Sequence, residues 1–104
     1  MPKTVKRPAE DFNYGLSFED VMGGDSIQSV IAVTALNLMT RIDSTSQIVG
    51  NSSPIGSPAF IVGVQLKNIV IGERHSVTVK ILTDSNETLQ GEILLDGVEA
   101  IYDA

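Results

Sequence analysis

The chain contains no cysteine, no tryptophan and one histidine, and its aromatic share is 5%. The missing cysteine excludes disulfides, thiolate chemistry and Cys-ligated zinc, and it fits assembly in a reducing cytoplasm. Aromatic stacking of sugars has little to build on, because Tyr14 and Tyr102 are the only tyrosines and Tyr14 falls on an inward-facing position. No apolar run is long enough to span a membrane, and the opening "MPKTVKRPAED" lacks the apolar segment of a signal peptide. Basic residues are scarce as well. Net charge is -6, and Lys3, Lys6 and Arg7 supply three of the seven cations, so residues 8–104 hold four basic against thirteen acidic groups. Such a body repels nucleic acid, whose affinity for proteins rests on phosphate neutralisation. Neither nucleic acid nor membrane is expected as a partner.

What is present is a β-forming composition. The 104 residues suffice for one domain, 42% are hydrophobic, and most of these are Val, Ile and Leu. Residues 1–10, with Pro2 and Pro8 and no periodicity, read as an extended N-terminal arm; residues 11–104 read as the folded domain. Phe12, Tyr14, Leu16 and Phe18 alternate with polar or small residues, which predicts a strand with one buried face. Glu19 to Met22 is long enough for one helical turn, and Gly23-Gly24 is a turn signal.

The next strand, "SIQSVIAVT", places Ile27, Ile31 and Val33 inward and Val30 and Ala32 outward. Its β-branched residues argue against the helix that Ala, Leu and Met would favour further on. Two short strands are expected at Leu36 to Asp43 and Ser46 to Val49, followed by a loop, "GNSSPIGSP", on composition. "AFIVGVQL" is apolar on both faces, which suits a strand covered on both sides or an edge covered by another subunit, with Gly63 marking a bulge. The final hairpin aligns Val77, Val79 and Ile81 on one strand with Leu89, Ile93 and Leu95 on the other, across the polar turn "TDSNET". About seven short strands separated by turn signals form the pattern of an all-β, immunoglobulin-like antiparallel sandwich.

Little of the sequence carries chemistry. Any nucleophile and base pair must use His75, and Ser76 or Ser85 with Asp84 are the partners that could be assembled, though no spacing selects them. In immunoglobulin-like domains a Gly and then a Tyr precede an inward-facing core residue at the penultimate strand. Gly72, His75 and Val77 fit that spacing, with the imidazole bonding to backbone as a phenol would, and this corner reading expects Tyr to be tolerated at position 75. The pairs Glu10-Asp11 and Glu19-Asp20, with Asp25, lack a calcium-loop pattern and read as a solvated acidic edge. Gly23-Gly24 lacks the context of a phosphate loop. Two Asn-x-Ser/Thr triplets, at Asn51 and Asn86, read as turn chemistry. No catalytic residue, metal or cofactor is expected.

"NYGLSFEDVMGGDSI" resembles the opening of the fibre-tail adaptors, small virion proteins of tailed bacteriophages, through Tyr14, Ser17, Phe18, Asp25 and Ile27. "IGERHSVTVKILTDSNETLQGEILL" is similar to the family's closing hairpin through Gly72, Val77, Thr83 and the turn from Asp84 to Glu87. The chain departs from the family in having His75 where Tyr is usual, Ser17 where an acid is usual, and "KNIVIG" in place of a Gly-rich turn. The resemblance implies an immunoglobulin-like fold, no catalytic activity, and a place in the virion tail, after assembly in the bacterial cytoplasm. There, copies in a homo-oligomeric ring bridge the tail tube or portal adaptor to tail fibres. The alternatives are a capsid decoration domain and, from another class, a small ligand-binding domain or hydrolase using His75. Subunit contacts are expected from the arm (Lys3, Lys6, Arg7), from the doubly apolar strand (Phe60, Val62, Val64) and from the loop (Pro54, Ile55).

Overall fold

The alternating apolar pattern yields two stacked sheets. The computed structural model describes residues 3–7, 12–56 and 59–97. Its elements are β1 (Lys3–Arg7), β2 (Phe12–Ser17), α1 (Glu19–Met22), β3 (Ile27–Asn37), α2 (Thr45–Ile48), β4 (Val49–Gly56), β5 (Ala59–Leu66), β6 (Arg74–Thr83) and β7 (Thr88–Gly97). One sheet has the order β1-β7-β6-β3 and the other β2-β5-β4. All pairings are antiparallel except β1 with β7.

The core forms where the inner faces meet. Val62, Val64 and Leu66 of β5 face Val77, Val79 and Ile81 of β6 and Ile93 and Leu95 of β7, all at 0% exposure. Burying one such side chain is worth about 1.5–3 kcal/mol, so this layer supplies most of the stabilisation. Leu16 and Phe18 extend it from β2 and just beyond. Gly91 gives them room: a Cβ at position 91 would lie 2.8 Å from Leu16 Cδ2 and 3.1 Å from Phe18 Cζ, so those side-chain ends would have to shift.

The strand expected from Phe12, the helical turn at Glu19–Met22 and the closing hairpin are all present, with Leu89 packed against the core beside Ile93 and Leu95. Elsewhere the structure departs from the sequence reading. Ile31, expected inward, is 49% exposed, because β3 shifts register between Ile27 and Ser29 and again between Val30 and Ala32. Each extra residue reverses the inward and outward alternation, so Val30 and Val33 both pack against the core. The segment expected as a strand at Ser46 to Val49 is mostly the helical turn α2. Residues 38–40 form a turn, leaving Leu36 and Asp43 as an isolated bridge.

The expected loop from Gly50 is largely β4, whose register places Pro54 opposite Val62. β4 is an edge strand, a position in a sheet where proline's missing N–H is tolerated. β5 is correspondingly the centre of its sheet. Val62 and Val64 therefore belong to the chain's own core and offer nothing to another subunit, and Phe60 also packs partly against that core. Gly63 marks no bulge: it pairs in register with Gly15 and Ser53, and Ile55 Cδ1 lies 2.7 Å from where its Cβ would be. Lys3–Arg7, within the expected arm, runs as an edge strand beside β7 of the same chain, while the rest of positions 1–10 lies outside the described residues.

Among the described glycines the tightest approach is at Gly97, where an added Cβ would sit 2.1 Å from Val70 O. Because the obstacle is backbone, the cost of overpacking cannot be relieved by a rotamer change. Gly97→Ala is expected to lower stability by about 1–3 kcal/mol, seen as a lower denaturant midpoint at unchanged slope.

Candidate functional site

β6 directs its side chains inward in the order His75, Val77, Val79, Ile81, Thr83, so the single histidine stands at the end of the apolar layer with 0% exposure. A buried imidazole needs partners for both nitrogens. Ser44 Oγ lies 2.8 Å from Nδ1, and Glu73 Oε1 lies 3.3 Å from Nε2. The tautomer protonated on Nε2 satisfies both, with the serine hydroxyl donating to Nδ1 and Nε2–H donating to the carboxylate.

The carboxylate is shared further. Gln47 Nε2 donates to Glu73 Oε1 at 3.2 Å, and Asn37 Nδ2 donates to Oε2 at 3.4 Å. Asn37 in turn fixes the following turn, its Oδ1 accepting from the backbone N–H of Met39 (2.9 Å) and Thr40 (3.1 Å). Ser44 N donates to Ala35 O at 2.9 Å, and Ser44 O accepts from Gln47 N and Ile48 N. Gly72, at φ 90, takes the left-handed conformation that delivers the chain into Glu73 and β6. Together these bonds pin the end of β3, α2 and the start of β6 to one another.

His75 therefore makes a structural junction, through side chains and not through the backbone bond expected of a corner. Ser44, His75 and Glu73 do stand in hydroxyl, imidazole, carboxylate order. Chemically, however, the order is closed: Ser44 is only 4% exposed, and its backbone N–H, a natural oxyanion donor, is already bonded to Ala35. The other partners considered for His75 are not near it. Ser76 faces the opposite side of β6 and donates to Glu92 Oε1 at 2.7 Å, while Asp84, at the far hairpin, accepts from Ser26 Oγ.

Around the junction lies an open depression of about 600 Å³, lined by the turn at 38–41, by Gly72, Glu73 and Arg74, and by Asp96 and Gly97. Arg74 Nε donates to Asp96 Oδ1 at 2.6 Å on its rim. A second depression of about 460 Å³ lies on the outer face of the three-stranded sheet, beside Ile55 and between Asn13, Asn51 and Gln65. Among the candidate contact residues, Pro54 and Ile55 are exposed, whereas the side chains of Lys3, Lys6 and Arg7 lie outside the described residues. Among the described residues no group of three or more His, Asp or Glu side chains is arranged to hold a metal ion. Among the described residues no helix is long and apolar enough to cross a membrane.

The members of the junction were invisible individually: Ser44 and His75 are 31 positions apart, and Glu73 and Gln47 are 26 apart. The one available signal was general, in that a lone inward-facing histidine must find polar partners. Comparison with protein-family models, curated proteins and solved structures finds no match.

Two outcomes follow from the junction. Ser44→Ala leaves a buried ring nitrogen without its partner and is expected to cost about 1–3 kcal/mol, and His75→Tyr, which adds volume at a filled site, is expected to destabilise by about the same; both are read from chemical denaturation. Asp43 supplies a pH-dependent part: the Thr45 N–H bonded to its Oδ1 at 2.7 Å holds its carboxyl below the usual aspartate value. A lowered folded value means stability that is present above the unfolded pKa and lost as pH falls through the folded one. Asp43→Asn is therefore expected to flatten the acid side of the stability profile, with the wild-type advantage shrinking as pH drops below the ordinary aspartate range.

Proposed function

We propose that the chain is a non-enzymatic, immunoglobulin-like virion module of a tailed bacteriophage, an adaptor that bridges tail tube or portal adaptor to tail fibres in several copies arranged as a ring. The observation that carries the immunoglobulin-like reading is strand order. The third, sixth and seventh strands share one sheet, and the second, fifth and fourth share the other, which is the CFG and BED division of that fold, with β1 joined to β7. The residues behind the family resemblance suit a scaffold. Phe18 and Ile27 sit in the core, Tyr14 packs against it, and Val77 is fully buried. The lone imidazole is held by Ser44 and Glu73. A rigid sandwich with its polar chemistry engaged internally works through edges and loops.

Co-expression with the neighbouring genes, followed by capture of a tagged chain and mass spectrometry, tests the assignment. Recovery of a tail tube, portal adaptor or fibre protein supports it. Recovery of a major capsid protein alone moves the module to the head, and a small-molecule ligand in place of any protein overturns the structural reading. Ile55, 52% exposed on edge strand β4, is the described candidate contact best placed to report. Ile55→Glu is expected to leave folding within about 0.5 kcal/mol of the wild type while weakening capture of the partner.

A further inference from the structure

Eight of the described large hydrophobic residues are exposed, and four of them, Met39 (68%), Ile42 (65%), Val70 (49%) and Ile71 (54%), sit on the two loops at the junction end of the sandwich. Leu38 N donates to Arg74 O at 2.8 Å and Glu73 N donates to Val70 O at 3.1 Å, so both loops are anchored at the start of β6. An apolar concentration of this kind marks a surface that something covers. Its charges balance in number, Arg41, Lys67 and Arg74 against Asp43, Glu73 and Asp96, but not in engagement. Asp43 accepts from Thr45 N, Glu73 is bonded to Asn37, Gln47 and His75, and Asp96 is paired with Arg74, while Arg41 and Lys67 have no ion-pair partner among the described residues. Arg41 also holds a left-handed backbone, φ 62, where glycine would be unstrained, so its side chain is presented outward at a conformational cost.

The opposite end has the reverse character. Glu19 and Asp20 open α1, Asp25 stands just before β3, and Asp84 and Glu87 bracket the β6–β7 turn. Asp84 N donates to Ser26 O at 2.9 Å and Phe18 N donates to Phe60 O at 2.8 Å, which gathers these segments at one end. No described cation stands among them, Lys80 being on the outer face of the four-stranded sheet. Asp25 and Asp84 are bonded to the neutral donors of Ser26, so their charge is uncompensated. Val21, within α1, is 65% exposed beside the acids.

The ten residues of β6 put about 33 Å between the two ends, so they cannot meet within one chain. Copies of a protein with net charge -6 repel each other except where unlike charge meets. Approach of unlike ends brings the two open cations to the uncompensated carboxylates and covers apolar surface on both partners. We infer that the apolar end of one copy docks on the acidic end of the next, with Met39, Val70 and Ile71 around Val21 and with Arg41 and Lys67 facing the carboxylates. Such a heterologous contact repeats from copy to copy and closes as a ring when the rotation per copy allows. The inference deepens the proposed function and rests on its reading of several copies in a ring, for which it supplies the contact.

Sedimentation velocity of the full chain over a concentration series tests the contact. The wild type is expected to associate beyond the dimer as concentration rises, and a chain that stays monomeric at millimolar concentration overturns the proposal. One variant, Met39→Glu with Ile71→Glu, blocks the apolar end; a second, Asp20→Gln with Val21→Gln and Glu87→Gln, blocks the acidic end. All five positions are exposed, and an unchanged denaturation midpoint checks that each variant folds. Each alone is expected to be monomeric, and their mixture to stop at a heterodimer at least tenfold tighter than either variant with itself. A mixture without heterodimer overturns the proposal, and dimers of the second variant alone overturn it in favour of two apolar ends meeting. Salt gives a readout on the unmodified chain: Kd for self-association is expected to rise at least tenfold between about 0.05 M and about 0.5 M sodium chloride, and an unchanged Kd overturns the charge pairing. Absent self-association with capture of a tail protein intact removes this contact and leaves the adaptor assignment standing, whereas self-association without capture does the reverse.

Discussion

The apolar contact between β5 and the β6–β7 pair is the constraint from which the rest of the molecule follows. Val62, Val64 and Leu66 must meet Val77, Val79, Ile81, Ile93 and Leu95 with no water between them, and a one-residue slip in any of these strands would turn its apolar set outward. β6 shows how the layer is terminated. Its inward series runs from His75 to Thr83, polar at both ends and apolar between. His75 is satisfied by Ser44 and Glu73, and Thr83 Oγ1 accepts from Glu87 N at 3.1 Å while Thr83 N donates to Glu87 O at 2.8 Å. Both polar ends of the strand are closed by bonds to the adjoining loops, so the apolar layer is held in register from each side.

Sheet edges impose the second constraint, because two open sheets leave four rows of backbone groups that can pair with other chains. β4 carries Pro54 and shifts register twice. β3 carries two register shifts, and its end is covered by the chain itself, where Ala35 N donates to Thr45 Oγ1 and Asn37 N donates to Ile42 O. β1 is short, five residues paired in parallel with β7. The β3 covering and the buried junction use the same residues, since Ser44 and Thr45 bind Ala35 while Ser44 also bonds His75. Edge protection and burial of the histidine are thus one piece of architecture.

What the sequence made legible was what depends on local periodicity. The alternation runs through β6, through β2 from Asn13 and through β7 as far as Leu95, and from it the inward faces, the hairpin and the all-β class are legible. The outward turn of Ile31 in β3 leaves no trace in the sequence, because a bulge inserts a residue without altering local composition. β4 has the composition of a loop because Pro, Gly, Ser and Asn are turn formers, although an edge strand tolerates all of them. β5 looked like a contact strand for want of knowing its neighbours: a central strand and an edge covered by a partner share the same apolar sequence. At the site, the inward position of His75 was legible but its partners were not, since pairing across 31 positions is decided by the path of the loop that carries Ser44.

The two ends of the sandwich consequently differ in kind. At the hairpin end Val21 is exposed, but the polar groups are engaged locally: Asp25 is held below its usual pKa first by the Ser26 backbone N–H, and Asp84 accepts from the Ser26 hydroxyl. That end satisfies its own groups with backbone and hydroxyl donors and presents water with a surface it wets. At the other end the internal bonds lie beneath, in the junction of Asn37, Ser44, Glu73 and His75, and the loops built on them carry Met39, Ile42, Val70 and Ile71 outward. A turn held by Asn37 and a connection held by Glu73 are stiff supports, so presenting apolar side chains there costs little further ordering when they are covered. The buried polar junction fixes the loops, and the fixed loops make one end of the molecule the surface suited to contact.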